Sequence, residues 1–258
     1  MNDLKRKILN CEKVCGTHVS MSDFMSADIL GSLGYDFIWV DTEHSCIDYK
    51  SLLSNITAIK NVGGRMIVRL HQDDFNHTKR VLEMGVDGVI FPMINTREEA
   101  EKAIASTYYP PRGNRGFGPL RAAKYGNIGS ADYLNMQDEL VRCVQIESPQ
   151  AIENLEEIVG VEGIDCFIFG PCDLCLRVGE GTDVLGDKNI SYIKRAIDVL
   201  KKHGKSIGVS TGSVDEEVIR FWDNLGVNFI SSGTDYDYIR LYAGENLERL
   251  RRVQGEKK

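Results

Sequence analysis

Two carboxylates in this chain each close an apolar run. Glu147 ends Val141-Arg142-Cys143-Val144-Gln145-Ile146, and Asp173 follows Cys166-Phe167-Ile168-Phe169-Gly170-Pro171-Cys172. The length of one helix and two turns separates them. If both runs are parallel strands of one sheet, Glu147 and Asp173 emerge side by side at the same edge. Paired carboxylates with no basic residue between them suit a hard divalent cation. Taken singly, each reads better as a cap of the segment after it; it is their recurrence one βα unit apart that points to a ligand pair. Other reactive side chains stand at the ends of similar runs: Asp41-Thr42-Glu43-His44, Arg69 with His71, and Gln145. Histidine is a natural proton carrier, which makes His44 a candidate base, and Asp41, three residues before it, could orient its ring. Arg69 ends a buried run, where an unpaired charge is costly, so it must meet a carboxylate or an anionic substrate. The backbone N–H groups of the turn Gly170-Pro171-Cys172 could cradle a carboxylate, although Pro171 supplies none.

The elements that must position these residues follow from the pattern. Short apolar runs at 14–20, 37–41, 66–70, 88–93, 141–147, 166–170, 206–210 and 228–232 alternate with segments of helical period at 22–33, 49–61, 75–84, 96–106, 149–159, 190–203, 215–225 and 236–252. Near-continuous Val, Ile, Phe and Leu marks strands covered on both faces. Ser22, Thr96 and Ser213 read as N-caps, and Gly34, Gly63, Gly85, Gly204 and Gly226 as helix terminators. Eight βα units predict one closed (β/α)8 barrel domain over residues 1–258, with chemistry at the C-terminal ends of the strands. An open doubly wound sheet would carry a glycine-rich turn after its first strand, and Gly16-Thr17-His18-Val19 is not one. Residues 107–140 interrupt the alternation before the fifth strand. An insertion of this length predicts an active-site lid, a binding loop or a subunit contact, with a helix over 131–139. Its Arg112, Arg115 and Arg121 could bind an anion or a neighbouring subunit.

Composition narrows the classes. The chain has 258 residues, 42% of them hydrophobic, and a formal charge of -7, which argues against a nucleic-acid partner. The N-terminus is charged with no apolar signal core, and no run is long enough to span a membrane. Seven cysteines scattered through strands and loops fit reduced thiols in a cytoplasm. Cys172 and Cys175 form a lone CxxC, which leaves a thiol or zinc role as a minor alternative. No lysine stands at an expected strand end, so a Schiff base has no candidate, and carbonyl chemistry here calls for a metal.

Four motifs, in order, resemble the HpcH/HpaI aldolase family of metal-dependent class II pyruvate aldolases: Phe37-Ile38-Trp39-Val40-Asp41-Thr42-Glu43-His44; Val68-Arg69; Tyr109-Pro110-Pro111-Arg112-Gly113-Asn114-Arg115-Gly116; and Val144-Gln145-Ile146-Glu147 with Gly170-Pro171-Cys172-Asp173-Leu174. The resemblance implies a (β/α)8 barrel that forms a homohexamer with the C-terminal helix exchanged between subunits. It implies reversible cleavage of a 4-hydroxy-2-oxo acid to pyruvate and an aldehyde. By motif match, Glu147 and Asp173 resemble the Mg²⁺, Mn²⁺ or Co²⁺ ligands. Arg69 resembles the arginine at the pyruvate oxygen, His44 with Asp41 the base dyad, and Gln145 the glutamine beside the metal. Gly170, Pro171 and Cys172 would line the substrate. The chain departs from the family in having Cys172 and Cys175 where Ala and Ser are common, and in Arg177. An acyl-CoA lyase similar to citrate lyase β-subunits or malyl-CoA lyases, and a non-catalytic ligand-binding barrel, are the alternatives.

Overall fold

A computed structural model describes residues 2–72 and 74–255. Eight parallel strands close in chain order: β1 (Val14–Val19), β2 (Phe37–Asp41), β3 (Met66–Arg69), β4 (Gly88–Phe91), β5 (Val141–Ile146), β6 (Cys166–Phe169), β7 (Ser206–Ser210) and β8 (Phe229–Thr234). The expected barrel is therefore present. Every strand is largely buried, because helices cover its outer face and the strands' own side chains fill the interior. Phe37, Trp39, Ile67, Ile90, Cys143, Cys166, Ile168 and Phe229 make that inner cluster. Phe37 and Phe229 stack at 4.1 Å between centroids. Gly16 makes room for this pair, since a Cβ there would fall 2.3 Å from the Phe37 ring.

Several element boundaries differ from expectation for local reasons. Helix Phe24–Ser32 is capped by Asp23 rather than Ser22, and Glu216–Asn224 by Asp215 rather than Ser213; in each case the carboxylate accepts the N–H of the helix's second residue, Met25 or Glu217. Thr96 caps Arg97–Ala105 as expected, in a reciprocal box with Glu99. The single helix expected over 149–159 is two, Pro149–Glu153 and Leu155–Ile158. They break at Asn154, whose side chain donates to the Asn95 carbonyl. The expected turn after β6 is instead a helix, Pro171–Val178, with Pro171 in its first turn, where a missing N–H costs nothing. The final helix runs Asp235–Gln254.

The charged N-terminus forms a helix, Asp3–Leu9, that the residue pattern did not suggest. Leu4 and Ile8 join the inner barrel cluster, and buried Lys5 donates to the Leu140 carbonyl at 2.7 Å and pairs with Asp165 at 3.0 Å. This helix closes the end of the barrel opposite the strand C-termini. The insertion 107–140 anchors at that same closed end. Buried Arg142 at the start of β5 donates to Thr107, Leu140 and Gln137 and lies 3.8 Å from the Tyr108 ring centre. Within one chain the three insertion arginines are used internally. Arg115 bonds Glu83 and Tyr133, Arg121 the Met84 carbonyl, and Arg112 Asp138. The segment expected as a helix over 131–139 is Ser130–Asn135 followed by a tight turn of 3-10 helix, Met136–Glu139. Among the described residues, no helix is long and apolar enough to cross a membrane.

Candidate active site

The C-terminal ends of β2 and β3 are joined by charge. Asp41 and Arg69 are direct neighbours in the parallel register, and the guanidinium meets the carboxylate through two bonds, Nε at 2.9 Å and Nη2 at 2.6 Å. A bidentate pair of this kind is among the strongest polar contacts a protein makes. Burial alone would raise the Asp41 pKa, but Arg69 more than offsets that and holds it below the usual range. Arg69 also reaches Glu43 at 3.2 Å, yet burial keeps the Glu43 pKa raised.

His44 departs from the orientation its spacing suggests. Asp41 accepts the backbone N–H of Glu43 and of His44, at 3.0 and 3.4 Å, and its remaining capacity goes to Arg69. The acid nearest the His44 ring is Glu43, at 3.8 Å from Nε2, and the imidazole is 63% exposed. Asp41 therefore shapes the turn that carries His44 rather than gripping its ring. Behind this turn lies a support that sequence reasoning missed. Thr42 donates to the Arg69 carbonyl and contacts His77 Nε2 at 3.0 Å. His77 Nδ1 meets the Tyr49 hydroxyl at 3.0 Å, and the His71 ring stacks on His77 at 3.9 Å. His71 and His77 are six residues apart across a strand-to-helix turn, a spacing that carries no ligand or catalytic signal.

Across the mouth, β5 and β6 carry acid without base. Glu147, one residue past β5, is buried. Its Oε1 accepts the Met93 N–H at 2.7 Å and its Oε2 the Gln145 amide at 3.0 Å. Gly170 leaves the space this carboxylate fills, as a Cβ there would stand 2.2 Å from Glu147 Oε2. Met93 holds a left-handed backbone, φ 55°, which aims its N–H at Glu147; such strain in a non-glycine residue gathers at functional sites. Burial, with the charges of Asp173 and Glu43 added to it, pushes the Glu147 pKa up to about 7, although the Met93 N–H pulls the other way. Asp173 lies in the first turn of helix Pro171–Val178.

These residues fit a divalent cation. Glu147 is buried against like charge, and a cation would relieve that repulsion. Gln145 Oε1 is buried with no partner among the described residues, a hard oxygen on the same amide whose nitrogen donates to Glu147. No three His, Cys, Asp or Glu side chains converge on one point among the described residues, here or elsewhere, so two carboxylates would have to be completed by water and substrate oxygens. The CxxC does not form a thiol pair. Cys175 is buried with its Sγ toward the Gly181 carbonyl, while Cys172 is exposed, and burial followed by the Asp173 charge raises its pKa. No lysine stands at the C-terminal end of any described strand.

Comparisons with known proteins agree with this fold. The family model described as HpcH/HpaI aldolase/citrate lyase matches residues 15–239. The chain is 31% identical to a hydroxypyruvate/pyruvate aldolase of Delftia acidovorans, covering 98% of this chain and 94% of that one. It is 31% identical to a 5-keto-4-deoxy-D-glucarate aldolase of Shigella boydii, over 93% and 92%. The crystal structure of an HpcH/HpaI aldolase/citrate lyase family protein from Burkholderia cenocepacia superposes with a TM-score of 0.91 at 26% identity, covering 97% of this chain and all of that one. The chain belongs to the HpcH/HpaI aldolase/citrate lyase family, as its four motifs imply.

Proposed function

We propose that this protein is a divalent-metal-dependent aldolase that reversibly cleaves a 4-hydroxy-2-oxo acid to pyruvate and an aldehyde. The observation that carries the reading is the acid-rich Glu147–Asp173 rim, where burial and like charge outweigh the attraction of Arg69 across one mouth. Glu147 and Asp173 would hold Mg²⁺, Mn²⁺ or Co²⁺, with Gln145 beside them. Such a cation, when bound, polarises the 2-oxo group. Negative charge develops on that oxygen as the bond between C3 and C4 breaks, and the Arg69 guanidinium, held rigid by Asp41, stabilises it. His44, exposed at the rim beside Glu43, takes the proton of the C4 hydroxyl as the aldehyde forms, and C3 takes up a proton to complete the pyruvate methyl group. In the reverse direction C3 loses a proton and the new hydroxyl gains one from His44. The free N–H groups at the start of helix Pro171–Val178 face an anionic carboxylate, and Cys172 lines that edge in its protonated form.

The assembly we propose is a homohexamer with the last helix exchanged between subunits. Helix Asp235–Gln254 stays exposed along its apolar residues, among them Ile239, Tyr242, Leu250 and Val253. A hollow of about 500 Å³ lies between β1, β8 and helix Glu216–Asn224, lined by Ile219, Ile230 and Tyr238, where a partner's helix would pack. The insertion 107–140 belongs in this reading to a subunit contact, since its own chain anchors it away from the mouth. All seven cysteines are free, which supports a reducing cytoplasm.

The test is pyruvate release from a panel of 4-hydroxy-2-oxo acids with and without each metal. EDTA is expected to abolish release, and borohydride with substrate to trap nothing. A borohydride-trapped adduct would overturn the metal mechanism, and turnover of malyl-CoA alone would move the protein to the acyl-CoA lyases.

A further inference from the structure

The mouth holds a histidine that the chemistry above does not use. His18, near the end of β1, lies with its ring 4.7 Å from Trp39, and the Arg69 guanidinium sits 5.5 Å from the same indole. His18 and Arg69 thus flank one ring at the floor of the mouth. His18 Nδ1 is 3.2 Å from the Gly233 carbonyl and 3.3 Å from the Ser231 hydroxyl. A carbonyl only accepts, so Nδ1 carries the proton, and Nε2 is left as an acceptor. Burial keeps the imidazole neutral, with a pKa lowered to about 4, so this tautomer persists at neutral pH. Among the described residues the one hydrogen-bond contact of Nε2 is the Ser210 hydroxyl, at a long 3.4 Å. His77 makes the contrast: both its nitrogens are met at 3.0 Å by Thr42 and Tyr49, as in a histidine that only supports structure.

Strand order gives the position its meaning. In a ring of eight, β1 stands opposite β5. A 2-oxo acid held at Glu147 and Asp173 and long enough to cross the mouth would bring its far end toward β1, β7 and β8, where His18 and Ser210 are. We propose that His18 Nε2 and the Ser210 hydroxyl are the specificity-determining pair for the aldehyde half of the substrate, hydrogen-bonding a hydroxyl there and so selecting hydroxylated aldehydes over their deoxy counterparts. The inference rests on the aldolase reading of the same site. Its physical basis is the asymmetry of polar recognition. A site built to bond a hydroxyl rejects the analogue lacking it, because its own polar atoms are then left unpaired, whereas an apolar wall discriminates weakly.

The test is the condensation of pyruvate with glycolaldehyde and with acetaldehyde, which differ by that hydroxyl. Wild-type enzyme is expected to favour glycolaldehyde in kcat/KM by about 100-fold, and His18→Leu and Ser210→Ala to shrink that ratio by about 10-fold or more, chiefly through KM. His18→Gln, which restores a polar group near Nε2, is expected to recover part of it. An active wild type that does not discriminate, or a ratio unchanged in both variants, overturns the pair while leaving the aldolase reading intact. A wild type inactive toward both aldehydes with every metal overturns both. Should His18→Leu fail to fold, Ser210→Ala and nitrogen-15 NMR of the native imidazole still decide. The expected spectrum shows Nδ1 protonated, with the Nε2 resonance moving when glycolaldehyde is added; a free protein protonated on Nε2 contradicts the assignment.

Discussion

The two halves of the barrel mouth solve the problem of buried charge in opposite ways. At β2 and β3, Asp41 and Arg69 neutralise each other within the chain, and the Asp41 pKa falls. At β5 and β6, Glu147 is equally buried, but its hydrogen bonds come only from an N–H and an amide, the charges of Asp173 and Glu43 outweigh the weaker opposing influence of Arg69, and its pKa climbs to about 7. The first half is complete as folded and serves as a fixed electrostatic wall. The second carries surplus negative charge that a bound cation would balance. Stability and binding capacity are therefore set apart on two sides of one site.

Breaking the closed half should have the largest effect. Arg69→Met leaves Asp41 buried and unpaired, at a cost of about 3–5 kcal/mol in unfolding free energy, and removes about 10²–10³ in kcat. Denaturant melts with pyruvate release check both. Neutralising the open half should separate the two properties. Glu147→Gln is expected to abolish metal-dependent turnover yet to stabilise the metal-free protein at pH 8. The sign follows from the raised pKa: the native carboxyl holds its proton more tightly than the unfolded one, so its contribution is full below pH 4.5 and is lost as pH rises through about 7. Removing that charge should add about 1–3 kcal/mol at pH 8, which melts of both proteins in chelator would show. If Glu147→Gln were as destabilising as Arg69→Met, the contrast between the halves would fail.

Smaller effects sharpen the picture. His44→Ala should lower kcat by about 10²-fold or more but change stability by under about 0.5 kcal/mol, because the ring is mostly exposed. A large melting shift in that variant would assign it a structural role. The pH response of the His71–His77 support bears on stability alone. His77 is faced by Thr42, Tyr49, His71, Asp74 and Arg80, and burial lowers its pKa to about 4. A buried neutral histidine contributes fully above pH 6.5 and loses that contribution as pH falls toward 4. His77→Asn should flatten the acid limb of the stability profile, measured by melts from pH 7 to pH 4.

Much of this was legible in the residues. The strand runs stood out because parallel strands buried on both faces are continuously apolar, and the order of Asp41, Arg69, Glu147 and Asp173 along the chain follows from the strand-end rule. What escaped was carried by contacts at long sequence distance. Asp3–Leu9 is a short charged helix whose burial depends on Leu140 and Asp165. The choice of Arg69 over His44 as the partner of Asp41 is set by strand register, which spacing within one segment does not reveal. His18 lies in a strand that reads as ordinary β, and only closure against β7 and β8 turns it toward Ser210 and Gly233.

The most direct measurement is a calorimetric titration of Mn²⁺ into metal-free wild-type protein and Glu147→Gln near pH 7, in two buffers of different ionisation enthalpy. The wild type should bind one Mn²⁺ per chain and release a fraction of a proton as Glu147 loses the proton it holds at that pH, and Glu147→Gln should lose about 100-fold or more in affinity together with that proton release. Equal Mn²⁺ affinity in the two proteins would contradict the assignment of the open half of the mouth as the metal site.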